Sequence, residues 1–443
     1  MPAEVARHPA SDRLITVGPA GADITGGDNR AIQLAVDAMA QRGGGTVQVL
    51  PGEYELIDSI HLRSKVHLVG DRQGTLLRRA RVVRSRLAVD ADIGERQITP
   101  KNASLFHAGM GVMLRGEQHA NGPHPPLTVT QVADGVLHTN HYNLTNFPAD
   151  SRSLVVAYFP MIHGYDVEAA VVDGFTIDAA ADDMTDIEDV RIGGVMLTFC
   201  RQCTVCNVTV SAALGDGILA EPSQDIVVEH CESFGNTHHG VHFGSHSPGA
   251  QTLSCELHDN GSDGLYLCWG VRHGLFRDNR IYRNGFSLHR NGVSLGHKDT
   301  DNVIAANHVY ENAKHGICFR VKTQANGAHR NELRGNTIEN NGRPWSEVPE
   351  RFHEFERAEL LYAGIFINGI THDVVLADNV IRETRHLDHR LQVNAVYLGP
   401  GVSGVVMENN LMEGHLQGAV IDESSADQAN HRGQTASARK TCD

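Results

Sequence analysis

The sequence predicts an all-β chain wound as a parallel β-helix, with a helix capping its N-terminal end and a small β module inserted early. Three observations predict it. A Gly-apolar-x-apolar segment recurs at Gly217-Ile-Leu-Ala, Gly240-Val-His-Phe, Gly264-Leu-Tyr-Leu, Gly292-Val-Ser-Leu, Gly316-Ile-Cys-Phe and Gly364-Ile-Phe-Ile, with offsets of 23, 24, 28, 24 and 48 residues. A second motif, apolar-x-x-Asn-x-apolar, falls between these segments at Asn279, Asn307, Asn336, Asn379 and Asn409. Aromatic residues make up only 5% of the 443 residues while 41% are hydrophobic, so the core must be aliphatic. A unit this short cannot close a core by itself. Stacked copies ~4.8 Å apart bury a continuous aliphatic column and pair every strand with its neighbours.

The elements follow in order. Residues 28–41 place Ile32, Ala35 and Val36 at helical spacing, and Gly43-Gly-Gly-Thr-Val then opens a strand. Residues 80–160 break the period, and within them Gly109-Met-Gly-Val-Met-Leu-Arg and Leu127-Thr-Val-Thr-Gln-Val read as alternating strands of an inserted module. The repeat occupies residues 161–423, where Gly194 leads Gly217 by 23 and Val396-Tyr-Leu and Ala419-Val-Ile continue the series. The offset of 48 before Gly364 is either two turns or one turn with an insertion. The repeated Asn serves either an inward amide ladder or a turn. The polar stretch 424–443 reads as a disordered tail. The division is therefore 1–79 for cap and first turns, 80–160 for the module, 161–423 for the solenoid and 424–443 for the tail.

The Asp28-Asn-x-x-Ile-Gln helix, the Gly-Gly-Gly-Thr-Val strand and the Pro51-Gly-Glu-Tyr turn resemble the N-terminal cap of the pectate-lyase-like superfamily. That resemblance implies a right-handed β-helix and a saccharide substrate, in a monomer or a homotrimer.

Bulk properties narrow the partners. The net charge of -15 argues against nucleic acid, which calls for a basic face. No run approaches the ~18 apolar residues of a membrane span, and the N-terminus lacks the apolar core of a signal peptide. The expectation is a soluble chain, either cytoplasmic or given in mature form. The eight cysteines show no disulfide framework. Cys200, Cys203 and Cys206 have metal-like spacing but read as buried thiols of the core.

Alternation along each strand sends the two apolar positions inward and the residue between them outward. Stacking the turns then lines up Asp216, Leu219 and Glu221, then His239 and His242, then Asp263, Tyr266 and Cys268. Asn291 and Ser294 follow, with His297, Lys298 and Asp299 just beyond, then His315, Cys318, Arg320 and Lys322, and finally Phe366 and Asn368. Strips of any β-helix are polar. This one concentrates His, Tyr, Lys and Arg on its middle turns, which are proton-transfer and carboxylate-binding types in an acidic chain. Insertions at 344–360 and 382–393 emerge from neighbouring turns.

Gly296-His-Lys298-Asp-Thr-Asp-Asn302, followed by His315-Gly-Ile-Cys-Phe-Arg320, resembles the catalytic turns of the chondroitinase-B and alginate-lyase family. The resemblance implies Lys298 as Brønsted base and Arg320 as the group that neutralises a uronate carboxylate or protonates the leaving oxygen. Where that family has acidic calcium ligands this chain has Asn291 and Val293. A Tyr-Lys pattern on neighbouring turns would pair Tyr266 with Lys298. Asp301-Asn-Val and Arg320-Val-Lys322-Thr are similar to the late turns of polygalacturonases, but of that family's catalytic aspartates only Asp263 has a counterpart. Inversion by paired carboxylates ~6.5–9.5 Å apart would then need Glu221 or Asp216 as partner.

The expected function is a lyase acting on an acidic polysaccharide or oligosaccharide by β-elimination. Abstraction of the C5 proton needs a base, and the charge that develops on the carboxylate needs cationic neutralisation. Lys298 is the expected base, Arg320 and Lys322 the carboxylate clamp, and Tyr266, His242 or His239 the proton donor or positioning groups. His297, His315, Glu221, Asn368 and Trp345 are expected to contact substrate. The alternatives are a hydrolase or transglycosylase using Asp263 with Glu221, a uronate C5-epimerase, and a non-catalytic glycan binder. No residue is assigned as a metal ligand, and calcium is the possible cofactor. The run His238-His-Gly-Val-His242-Phe-Gly-Ser-His246 reads first as catalytic or surface histidines, and Asp178 to Asp189 as a solvated loop before a calcium site. Trp345, Phe352 and Phe355 lie in a segment of helical character that serves as lid, sugar platform or subunit contact.

Overall fold

A computed structural model of the chain describes residues 13–116, 126–180, 191–353 and 362–424, with two further short strands at Asn430–His431 and Thr435–Ala436. Apart from those strands, the stretch expected as a tail lies outside the described residues from 425 onward, as do Phe355 and most of the acidic run from 181 to 190. The chain is a right-handed parallel β-helix, organised in two compact units.

The first unit comprises residues 1–119, 124–177 and 201–208. Its helix, Asn29–Gln41, begins at Asp28, whose side chain accepts from the main-chain N–H of Arg30 and Ala31. These are two of the donors that every helix start leaves without an intrahelical partner. The helix buries Ile32, Ala35, Val36 and Met39, the face its spacing predicts. The inserted module is a six-stranded antiparallel sheet running from Arg84–Arg86 to Leu154–Val156 in sequence. It contains both expected strands, Gly111–Arg115 and Leu127–Ala133. Ile98, Val112, Val129, Leu137 and Val155 give the module a core of its own.

The second unit comprises residues 120–123, 178–200 and 209–443. Each of its turns contributes three short strands to three parallel sheets. One sheet holds the Gly-apolar-x-apolar segments, from Gly193–Thr198 to Gly418–Asp422. Register stacks Val195, Ile218, Val241, Leu265, Val293, Ile317, Ile365 and Val396 in one file. Each of these is at most 1% exposed, which makes the file a continuous aliphatic column. Ile317 pairs directly with Ile365, so the offset of 48 is one turn carrying an insertion.

The repeated Asn forms inward amide ladders. Nδ2 of Asn279, Asn307, Asn336 and Asn379 donates to Oδ1 of the next member at 2.9 Å, ending on Asn410. A second ladder runs Asn236, Asn260, Asn284, Asn312, Asn341, Gln392. Most of these amides also donate to a main-chain carbonyl of an earlier turn, as Asn307 Nδ2 does to Phe276 O at 2.9 Å, while Asn236 Nδ2 donates to Ser233 Oγ. The corners therefore bury no unpaired polar atoms at these positions. One expectation needs correction. Asn409 is not a ladder member: it is exposed with φ 54°, and its neighbour Asn410 occupies the ladder. The residue before each ladder Asn turns the corner in the left-handed region, as Asp278 and Asp378 do. Asn tolerates that conformation well, so the first Asn of the pair makes the turn and the second makes the ladder.

The seven described cysteines are buried thiols and form no disulfide. No helix among the described residues is long and apolar enough to cross a membrane.

Candidate functional site

The strand file next to the aliphatic column holds most of the candidate site residues. Leu219, His242, Tyr266, Ser294, Cys318 and Phe366 are successive register partners. At the start of the strands or just before them, Asp216, His239, Asp263, Asn291 and His315 form a parallel row. Asp216 Oδ1 accepts from His239 N (3.0 Å), Asp263 Oδ1 from Asn291 N (3.1 Å) and Asn291 Oδ1 from His315 N (3.1 Å). The row is therefore pinned to the corner backbone.

This strip is not the solvated face that strand alternation implies. Asp216, Glu221, Asp263, Ser294 and Asp299 are each at most 1% exposed, and His242, Asn291 and His315 are buried. Burial changes the electrostatics, because charges removed from water interact more strongly.

His242 is the centre of the cluster. Its Nδ1 lies 2.8 Å from Asp216 Oδ2, and its Nε2 lies 3.6 Å from Glu221 Oε1 with no hydrogen-bond partner. Gly244 makes this approach possible, since a Cβ there would lie 2.3 Å from Glu221 Oε1 and 2.9 Å from His242 Nε2. Burial works to raise the pKa of Asp216, but His242 and His239 outweigh it and hold the carboxylate well below its usual range. Burial also drives the pKa of His239 well below the ordinary imidazole value, against the pull of Asp216. His239 stacks on Tyr266 with centroids 4.0 Å apart, and His242 meets the same ring edge-on at 4.9 Å.

Arg320 covers the tyrosine, its guanidinium carbon 4.4 Å from the ring centroid. Its Nη2 donates to Leu267 O (2.6 Å) and Gly296 O (3.3 Å) and lies 3.5 Å from Asp299 Oδ2. Its Nε and Nη1 are buried with no partner. Burial raises the pKa of Tyr266 despite the opposing charge of Arg320, so the phenol is protonated across the neutral range. Burial likewise pushes Asp299 up to about 7, against Arg320 and three main-chain N–H donors. Glu221 is ion-paired with Arg191.

The remaining sequence candidates divide. Asp263 belongs to the cluster, but its Oδ1 accepts from Asn291 N, Asn291 Nδ2 (3.3 Å) and Ser294 Oγ (2.5 Å). Lys298 stands at an exposed turn with φ 68°, its main-chain N bound to Asn326 O. His297 stacks on Trp269 at 4.6 Å and approaches Cys268 Sγ at 3.6 Å. Lys322 is half-buried, its pKa lowered by burial and then by Arg320. His315 Nδ1 accepts from Ala363 N (3.1 Å), and its ring stacks on Phe366 at 4.3 Å. Asn368 Oδ1 accepts from Gly369 N at 2.7 Å. Trp345 stacks on His353 at 4.7 Å. The described part of its segment consists of two short 3-10 turns, Trp345–Glu347 and Glu350–Phe352, rather than the helix expected from its composition.

Sequence reasoning missed Arg191 and Trp269. Arg191 precedes Gly193-Gly-Val-Met, the weakest copy of the repeat, so nothing in the pattern singled it out. Asp216, His239 and His242 each offer a ligand-type atom within 4.8 Å of the others, the one such cluster among the described residues. Within that cluster Nδ1 of His242 and Oδ2 of Asp216 form a carboxylate–imidazole pair.

These features define a right-handed parallel β-helix with a cluster of buried ionisable side chains on one strand file. A family model described as a right-handed beta helix region matches residues 193–344. No curated protein sequence matches the chain at a significant level. Similar solved structures include the A-module of the Azotobacter vinelandii mannuronan C-5 epimerase AlgE4, 14% identical with TM-score 0.56, covering 93% of this chain and 97% of that one. The DFA-IIIase of Arthrobacter chlorophenolicus A6 without its lid is 11% identical with TM-score 0.51, covering 94% and 91%. The Dettilon tailspike protein is 13% identical with TM-score 0.53, covering 90% of this chain and 64% of its own. At these identities the likeness is one of fold.

Proposed function

We propose that the chain is a carbohydrate-active enzyme that removes the C5 proton of a uronate unit and expels the C4 substituent by β-elimination. The observation that carries this reading is His242. Asp216 holds its Nδ1–H, so the Nε2 lone pair is presented unpaired beside a protonated phenol and a guanidinium with two unfilled donors. The same logic orients imidazole bases elsewhere in catalysis.

In this scheme His242 Nε2 takes the C5 proton. The electron pair moves onto the carboxylate, where Arg320 Nε and Nη1 neutralise the charge as it develops. Collapse forms the C4–C5 double bond and breaks C4–O4, and the Tyr266 hydroxyl protonates the departing oxygen. His242 replaces Lys298 as the base in this reading, because the lysine lies at an exposed turn. The hydrolase alternative requires two available carboxylates. Asp263 already accepts four hydrogen bonds and Glu221 is paired with Arg191, which weighs against it. Proteins of similar fold are named for a mannuronan epimerase and DFA-IIIase, so a saccharide is the class to test first.

The test follows ultraviolet absorbance of the unsaturated uronate with alginate, pectate, chondroitin, hyaluronan and heparin, for wild type and His242→Gln. Product from wild type and a loss of about 10²–10⁴-fold in the variant are expected for a lost general base. Solvent-hydrogen incorporation at C5 without absorbance would indicate epimerisation by the same base. Neither signal on any uronate, or a fully active variant, would overturn the proposal.

A further inference from the structure

Beside the cluster runs a row of exposed apolar side chains that the acid–base chemistry does not use. Phe199, Trp269, Val321 and Ile370 stand just past the ends of the strands Gly193–Thr198, Leu265–Cys268, Ile317–Phe319 and Tyr362–Ile367. They are 44%, 60%, 63% and 44% exposed. Six rungs separate the first of these strands from the last, about 29 Å along the solenoid at ~4.8 Å per rung. The four stand on the first, fourth, sixth and seventh of these rungs, and grouped exposed apolar residues mark an interaction surface more often than isolated ones do.

Trp269 is the centre of the row and is held there against local preference. Its φ is 68°, a left-handed conformation in which a bulky side chain is an outlier. Its indole is stacked on His297, which braces it from one side. The next residue is anchored too: Gly270 N donates to Asp299 Oδ1 at 3.0 Å, while Asp299 Oδ2 lies 3.5 Å from Arg320 Nη2. One buried carboxylate therefore ties the indole's turn to the guanidinium of the cluster.

The surroundings state the charge of the occupant. Lys298 follows His297 and is exposed, and Lys322 follows Val321 and is half-buried, so two lysines flank the row on a chain of net charge -15. We infer that Trp269 with His297 is a sugar-stacking platform, and that this row and its lysines bind a stretch of acidic polysaccharide along the solenoid axis. An amphipathic pyranose chain offers apolar ring faces to the indole and carboxylates to the lysines. The inference deepens the proposed function by naming a polymer rather than a monosaccharide or disaccharide, and it gives Lys298 a binding role.

The experiment is affinity electrophoresis through gels containing alginate, pectate, chondroitin, hyaluronan or heparin. It compares His242→Gln alone with His242→Gln/Trp269→Ala and with His242→Gln/Lys298→Ala, so binding is read without turnover. Retardation by one polymer, weakened about tenfold by Trp269→Ala, is expected for the loss of one stacked ring. Trp269→Phe should restore most of it, which a merely structural role would not. Retardation unaffected by Trp269→Ala, or none with any polymer, would overturn the platform. Light scattering of wild type and Trp269→Ala adds a further check: an oligomer that dissociates in the variant would make the row a subunit contact and overturn the inference. Because every protein in the gel lacks His242, a failure of the elimination chemistry leaves this result unchanged.

Discussion

Replacing Asn307 by Ala tests whether the amide ladder, and not only the aliphatic column, holds the turns in register. Asn307 is 2% exposed. Its Oδ1 accepts from Asn279 N at 3.0 Å and Asn279 Nδ2 at 2.9 Å, and its Nδ2 donates to Phe276 O and Asn336 Oδ1 at 2.9 Å. Alanine removes the acceptor of two buried donors. Asn279 Nδ2 keeps its second bond, to Thr252 O, and Asn336 Oδ1 keeps the bond from Asn307 N. The loss therefore falls on two N–H groups. At about 1–3 kcal/mol for each buried donor left unpaired, Asn307→Ala should cost about 2–6 kcal/mol. Asn409→Gly is the matched control: it removes an exposed side chain whose side-chain hydrogen bond is to Asp378 Oδ1 at 3.3 Å, at a φ of 54° that glycine adopts without strain, and it should stay within about 0.5 kcal/mol of wild type. Urea denaturation followed by far-ultraviolet circular dichroism gives the comparison. Hydrogen exchange at the amides of Asn279 and Asn307 shows whether the turns open locally, since stacked repeats can lose cooperativity. A cost for Asn307→Ala below about 0.5 kcal/mol would refute the ladder's energetic role. So would equal costs at Asn307 and Asn409.

Further predictions concern the cluster. Asp216→Asn should lower turnover by about 10²–10⁴-fold on any uronate polymer the wild type cleaves, because the amide no longer fixes the Nδ1–H tautomer of His242. Substrate binding in gels should persist in that variant, and its loss would mean that Asp216 holds the fold rather than the base. Lys298→Ala should raise KM and leave kcat within about twofold, the mark of an interaction made equally in ground and transition states. A collapse of kcat would return the base to Lys298. Asp299 supplies a pH dependence. Its folded pKa of about 7 lies above the ordinary carboxylate value of 3.8, so its contribution to stability is fully present below about 3.8 and is lost as pH rises to about 7. Melting temperatures across that window should fall less steeply for Asp299→Asn than for wild type, and parallel slopes would contradict the raised pKa.

The architecture was legible in the sequence because a solenoid repeats its physics. Each turn needs the same apolar pair facing inward and the same Asn at its corner, so period and motif survive even at Gly292-Val-Ser-Leu, where the intervening residue is polar. The helix was legible through its N-cap Asp28 and the spacing of Ile32, Ala35 and Val36. Asn409 was misplaced by one residue because two adjacent Asn satisfy the same pattern, and only register decides which one meets Asn379.

The site was half legible. Alternation and stacking brought Asp216, His239, His242, Asp263, Tyr266 and Arg320 into one strip before any coordinate. Alternation also implied that the strip faces water, and the tertiary structure buries it. That burial holds Tyr266 protonated, leaves Nε2 of His242 unpaired and raises Asp299, none of which follows from residue order. The sequence by itself determined which side chains share a face, because strand geometry and register are local and periodic. Only the tertiary structure decided which of them is left with a buried ring nitrogen that has no hydrogen-bond partner. Desolvation and hydrogen-bond partners come from turns 24 to 53 residues apart, as from His315 to Asn291 and from Arg320 to Leu267.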